Sequence, residues 1–216
     1  MQPATDPSAA PALDEAAPGA ATRKRPRPGE RRVQILQVLA QMLEQPGAER
    51  VTTAALAARL EVSEAALYRH FASKAQMFEG LIDFIESTVF GLINQISERE
   101  ADGRARAARI VAMVLQFGEK NPGMTRVMVG DALVFEHERL QQRMNQLFDK
   151  LEAALRQCLR DGAPAAEGGA LTPDADAQVA ASTLTAFAAG RLQRFARSGF
   201  RRAPSEHLDA CLARIL

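Results

Sequence analysis

The chain has no tryptophan and a single tyrosine, Tyr68, and aromatic residues make up only 5% of its 216 positions. Strands draw on aromatic and β-branched side chains, so this scarcity, beside abundant Ala, Leu, Arg, Glu and Gln, argues for helix over sheet. Cysteine is almost as scarce. Cys158 and Cys211 show no CxxC spacing and have no histidine at ligand distance in sequence, which removes the usual thiolate metal motifs. Reduced, half-buried thiols are expected, with a disulfide as the lesser alternative. No run of eighteen uncharged apolar residues occurs, and the first thirty residues lack the apolar stretch of a secretory signal, so a cytoplasmic protein is expected.

Catalytic signatures are missing as well. The fourteen glycines form no GxGxxG, GxxxxGK[ST] or GxSxG, so a phosphate cradle or a nucleophile elbow has no support. His137 and Glu138 outline an HExxH, but Gln141 stands where the second histidine would be. The pairs Glu136 with Glu138 and Asp174 with Asp176 read as solvated or helix-start carboxylates rather than as an acid and a base. No enzyme, cofactor or metal is expected.

What is present is an ordinary globular composition, 47% hydrophobic and 25% charged, with an uneven charge map. The net charge is +1, yet residues 1–21 carry −3 and residues 22–74 hold ten Lys or Arg against five Glu, hence +5, which leaves −1 for the rest. A basic module on a near-neutral body predicts a polyanionic partner for that module alone.

Residues 1–28 hold six of the eleven prolines and eight alanines without an apolar period, the composition of a leader that does not order itself, ending in a basic arm, Arg23, Lys24, Arg25 and Arg27. From residue 30 Ile35, Leu36, Leu39, Met42 and Leu43 recur at helical spacing up to Pro46 and Gly47, predicting a helix over 30–44. Thr52 or Thr53 can cap a second helix ending at Leu60, and Ser63 a third ending near Arg69. Ser73 opens a long fourth helix with a stripe from Met77 to Ile96. Further helices are expected over 104–120, 124–129 and 132–160, then one from Thr172 and Pro173 and a last one after Pro204. Residues 161–172, rich in Gly, Ala and Pro, make an internal loop. Ala177, Ala180, Ala181, Leu184, Phe187, Ala188 and Leu192 form a small-residue stripe that suits a homodimeric four-helix interface, with internal packing as the alternative. The domains expected are thus 1–28, a leader; 29–75, a DNA-binding head; and 76–216, a helical body.

Residues 51–78 combine a short helix, a tight turn and a second short helix. Val51, Leu56, Leu60, Val62, Leu67 and Phe71 point inward at that spacing, leaving Ser63, Glu64, Ala65, Ala66, Tyr68, Arg69 and His70 outward. A helix so exposed fits the major groove, about 12 Å wide, where Ala65 and Ala66 allow close approach to a thymine methyl. Ser63, Tyr68, His70 and Lys74, with Thr52 and Thr53 on the near side, are positioned to bind phosphate oxygens.

Residues 30–80, with TTAALAARLEVSEAALYRHFASK at their centre, resemble the TetR-family DNA-binding domain. That resemblance implies an all-α, nine-helix homodimer with a ligand or partner domain after its fourth helix. The stretches at 81–86, 117–126, 132–148 and 194–200 are similar to the nucleoid occlusion branch of that family. It implies binding to chromosomal palindromes, association with the nucleoid and, on DNA, engagement of the tubulin-like division protein FtsZ. By position Phe84, Lys120 and Asn121 carry that partner face. Leu92 and Gln116 depart from the branch's pattern. From the residues alone Phe84 fits equally well as a widening of the buried stripe, and Lys120 and Asn121 as helix-end caps. A ligand-responsive repressor with an apolar pocket in the body, and a helical adaptor using residues 132–160, remain the alternatives.

Overall fold

The computed structural model describes residues 29–45, 50–161 and 172–216, so the proposed leader, its basic arm and most of the 161–172 loop lie outside the described residues. Among those described there are nine α-helices, one 3₁₀ turn and no strand. The elements are α1 (Glu30–Leu43), α2 (Thr53–Arg59), α3 (Glu64–Tyr68), α4 (Lys74–Arg99), α5 (Gly103–Lys120), α6 (Pro122–Met128), the turn Asp131–Leu133, α7 (Glu138–Asp161), α8 (Pro173–Arg197) and α9 (Leu208–Ile215). No helix of the described residues is long and apolar enough to cross a membrane.

Five helices begin where a side chain can accept an orphan amide. Thr52 takes Ala55 N at 3.1 Å, Ser63 takes Ala66 N at 3.3 Å and Ser73 takes Gln76 N at 3.2 Å. Asp102 and Thr172 do the same for α5 and α8. Each such cap contributes about 1 kcal/mol relative to alanine, enough to fix where a short helix starts. The α2–α3 turn closes differently. Glu61 sits in the left-handed region at φ 54, while Val62 N reaches Ala57 O and Glu61 N reaches Ala58 O, a Schellman stop without the usual glycine.

Three boundaries depart from the sequence expectation. Pro122 opens α6 as its first residue instead of merely ending α5, because a helix's first turn has no use for the missing N–H. The helix expected from 132 begins at Glu138, since Gly130 at φ 82 throws the chain into a 3₁₀ turn and leaves Val134 and Phe135 on the surface. The last helix starts at Leu208, four residues beyond Pro204, after His207 takes the left-handed conformation.

α4 is the spine. At 26 residues it runs for about 39 Å and buries Met77, Phe78, Leu81, Ile82, Ile85, Val89 and Ile93, with Leu92 and Ile96 only half-buried at its margin. It leads from the small three-helix head into the body, where α5, α7 and α8 close the core with Ile110, Leu115, Met144, Leu147, Leu151, Leu184 and Leu192. Two glycines permit this packing. A side chain on Gly118 would collide with Leu192, and one on Gly123 with the carbonyl of Ala40, so α5 meets α8, and α6 meets α1, almost backbone to side chain and backbone to backbone.

A row of ion pairs ties α4 to α7 outside the core. Glu79 pairs with Arg139 at 2.8 Å, Arg143 bridges Asp83 and Glu86, and Lys150 also reaches Glu86 at 2.9 Å. Burial alone would favour the neutral form of Glu86, but the hydrogen bonds from Lys150 and Arg143 together outweigh it and hold the carboxyl below the usual carboxylate range. Of the thiols, Cys158 is buried, which raises its pKa, and Cys211 is half-buried; neither is in a disulfide.

The stripe assigned to a partner helix is used within the chain. Ala177, Ala181, Leu184, Ala188 and Leu192 are buried in the core, with Ala180 and Phe187 packed against it. Alternate positions remain open on α8, where Val179, Ser182, Thr183, Ala186 and Gly190 form an exposed face of small residues one to two positions away. Helical periodicity marked a packing stripe correctly but could not tell which of two adjacent stripes faced inward.

Candidate nucleic-acid interface

The head is built around a compact apolar centre. Ile35, Leu39 and Leu43 from α1 meet Leu56, Leu60, Leu67 and Phe71, with Val51 buried at the entry to α2 and Val62 half-buried in the turn. Burying a leucine-sized side chain stabilises by about 1.5–3 kcal/mol, so these residues determine how α3 lies, and its remaining faces are left to solvent.

Ser63, Glu64, Ala65, Tyr68 and Arg69 are exposed along and beside α3, and Ala66 is half-exposed. Tyr68 leaves 46% of its surface in water, a large aromatic with no place in the core. The Ser63 hydroxyl oxygen is occupied as cap acceptor, yet its proton remains available to an anion. Thr52, exposed, stands in the same state at the start of α2. Thr53 is half-buried and donates its hydroxyl to the Glu64 carboxylate at 2.6 Å, which turns that negative charge back toward α2. His70 is half-buried, and its carbonyl accepts from Arg32 at 2.6 Å while the Arg32 guanidinium lies 4.1 Å from the centroid of Phe71. Sequence reasoning missed this role of Arg32, which pins α1 to the residues just after α3. Only its membership of the basic count could have drawn notice.

Lys74 behaves differently from the other candidates. Its ammonium is paired with Glu136, 62 residues away in the corner before α7, and lies 5.6 Å from the centroid of Phe78. It is therefore engaged by the body and not free on the surface that carries Tyr68 and Arg69.

The second group of candidates sits on the body. Phe84 is 47% exposed on α4 and does not widen the buried stripe. Lys120 is exposed at the end of α5, and Asn121 is half-buried with its amide donating to Phe117 O at 2.7 Å. Phe84 lies fifteen residues before the end of α4 and Lys120 is the last residue of α5, the helix that packs against α4.

Two family models match. Residues 35–81 fit bacterial regulatory proteins of the tetR family, and residues 102–214 fit the SlmA-like form of the tetracyclin repressor-like C-terminal domain. The chain is 49% identical over 180 residues to the nucleoid occlusion factor SlmA of Idiomarina loihiensis, covering 83% of this chain and 90% of that one. To the SlmA of Escherichia coli O81 it is 51% identical over 181 residues, with the same coverage. The chain belongs to the SlmA family of nucleoid occlusion factors. A TetR-like transcriptional regulator from Rhodococcus sp. RHA1 shares the fold at 18% identity and a TM-score of 0.68, covering 88% of this chain and 97% of that one. The head is thus the DNA-binding module of a TetR-type regulator, and the body is of the SlmA kind. The relatives carry the names of regulators and occlusion factors, none of them that of an enzyme.

Proposed function

We propose that the protein works as a homodimer on chromosomal palindromes and, while bound, engages FtsZ so that the division septum does not assemble over the nucleoid. The observation that carries this reading is the exposed face of α3 in a chain that is 49% identical over 180 residues to one SlmA relative and 51% identical over 181 residues to another. Ala65 and Ala66 approach the base edges, while Thr52, Ser63, Tyr68, Arg69 and His70 contact phosphates and fix the register. Thr53 and Glu64 act as a pair that orients α3, and Lys74 supports the head from the body side. The α8 face of Val179, Ser182, Thr183, Ala186 and Gly190 meets its own copy about the two-fold axis, since small side chains let two helices approach closely. The two reading helices then enter successive major grooves about 34 Å apart.

FtsZ docks on the face that carries Phe84, Lys120 and Asn121, with the exposed Phe84 ring as its apolar anchor and the exposed Lys120 as its cation. A nucleoid-associated location follows from the DNA partner. Co-sedimentation of FtsZ polymers with the protein and a selected palindromic duplex tests the reading. Fewer sedimentable polymers are expected with protein and duplex together than with protein alone. Polymers unaffected in both cases would contradict it.

A further inference from the structure

Among the described residues, two contacts tie the head to the body besides the continuous α4. At one, α6 lies against the end of α1, with Gly123 under the Ala40 carbonyl and the Arg126 guanidinium on Leu43 O at 3.3 Å. At the other, Glu136 holds Lys74, the first residue of α4. Both side chains of this pair are largely withdrawn from water, 18% exposed for Lys74 and 9% for Glu136. Five residues, 69–73, separate the end of α3 from Lys74, so this pair holds the chain close behind the reading helix. An ion pair kept from solvent is poorly screened and defines a geometry more sharply than a surface pair does. Glu136 is itself fixed. It follows the 3₁₀ turn and precedes α7, whose Arg139 and Arg143 continue the row of ion pairs along α4 to Glu79, Asp83 and Glu86.

We infer that the Lys74–Glu136 pair is the lock that sets the orientation of the reading head, and through it the half-site spacing the dimer accepts. This rests on the proposed dimeric reading of a palindrome. Lys74 is then a positioning residue, turned toward Glu136 and not toward a phosphate, and Glu136, far from the helix-turn-helix in sequence, is a determinant of operator choice. Inserting one base pair between half-sites moves them by about 3.4 Å and turns them by about 34°, a change that a locked pair of heads does not follow.

The experiment measures affinity of the full chain for the selected palindrome and for the same palindrome with one base pair inserted at its centre. Absence of binding by the unaltered chain would overturn the proposed function and the lock with it, whereas a failure seen only in the variants overturns the lock alone, which separates the two failures. With binding in hand, the unaltered chain is expected to lose about tenfold or more on insertion. Glu136→Gln is expected to shrink that loss to about threefold or less, with helicity and dimer mass unchanged. The charge-swapped pair Lys74→Glu with Glu136→Lys is expected to restore the discrimination. Discrimination unchanged in Glu136→Gln would overturn the lock. So would a swapped variant that stays folded and dimeric yet loses affinity for both duplexes alike, because Lys74 would then bind phosphate directly.

Discussion

Thr53 at the first position of α2 donates its hydroxyl to Glu64 at the first position of α3, at 2.6 Å. The bond joins the two halves of the reading motif at their starts, opposite the Schellman turn that joins them through Glu61 and Val62. It also occupies a carboxylate that would otherwise face the anionic duplex. Thr53→Val is therefore expected to lower stability by about 0.5–1.5 kcal/mol, as for one hydrogen bond, and to weaken DNA binding as well, because Glu64 is released toward phosphate. Thermal unfolding and a duplex titration check the two effects. The double variant with Glu64→Gln should recover part of the affinity but not the stability.

Tyr68→Ala removes a side chain already half in water, so stability and dimer mass should change little. Affinity for the palindrome should fall while the slope of log K against log salt stays nearly unchanged, because a neutral phenol that hydrogen-bonds a phosphate neutralises none. Unfolding or dissociation of this variant would show that the ring supports the fold instead.

Glu61 occupies a left-handed position that L residues adopt at a cost of about 1 kcal/mol. Glu61→Gly is expected to stabilise the head by about 0.5–1 kcal/mol and to raise the melting temperature by about 1–4 °C. A lower melting temperature would mean that the Glu61 side chain contributes more than its backbone strain costs.

The Glu86 carboxyl is held below its ordinary value near 4.5 by Lys150 and Arg143 acting against burial. A depressed carboxyl pKa gives stability that is fully present above the unfolded value and is lost as the pH falls through the folded one. Denaturant unfolding followed downward from pH 6 should thus show an acid-side loss that Glu86→Gln reduces. An identical loss in both proteins would assign it to other carboxylates.

Much of this arrangement was legible in the residues. Thr52, Ser63, Ser73 and Thr172 announce their helices because a capping hydroxyl followed by an apolar period has one favourable geometry. Tyr68 and Phe84 stand outside the core, Tyr68 as its place among polar neighbours predicts, whereas Phe84, flanked by Ile82 and Ile85, fitted either face. What the sequence hid is long-range. Nothing near Lys74 reveals that its ammonium meets Glu136, and nothing near Arg32 reveals that it spans α1 and the His70 carbonyl, since both partners are set by tertiary packing. The α8 stripe was misassigned for a related reason. Two adjacent rows of small residues on one helix satisfy the same period, and only the packing of α5 and α7 decides which is covered.

The proposed function requires α3 to be presented twice by a symmetric pair. Selecting bound duplexes from a random pool, then measuring the mass of the complex and its salt dependence, tests this most directly. The expected result is an inverted repeat with half-site centres one helical turn apart, an even number of chains on each site and affinity falling steeply as salt rises. A single chain on a site without repeat symmetry, or binding indifferent to salt, would contradict it.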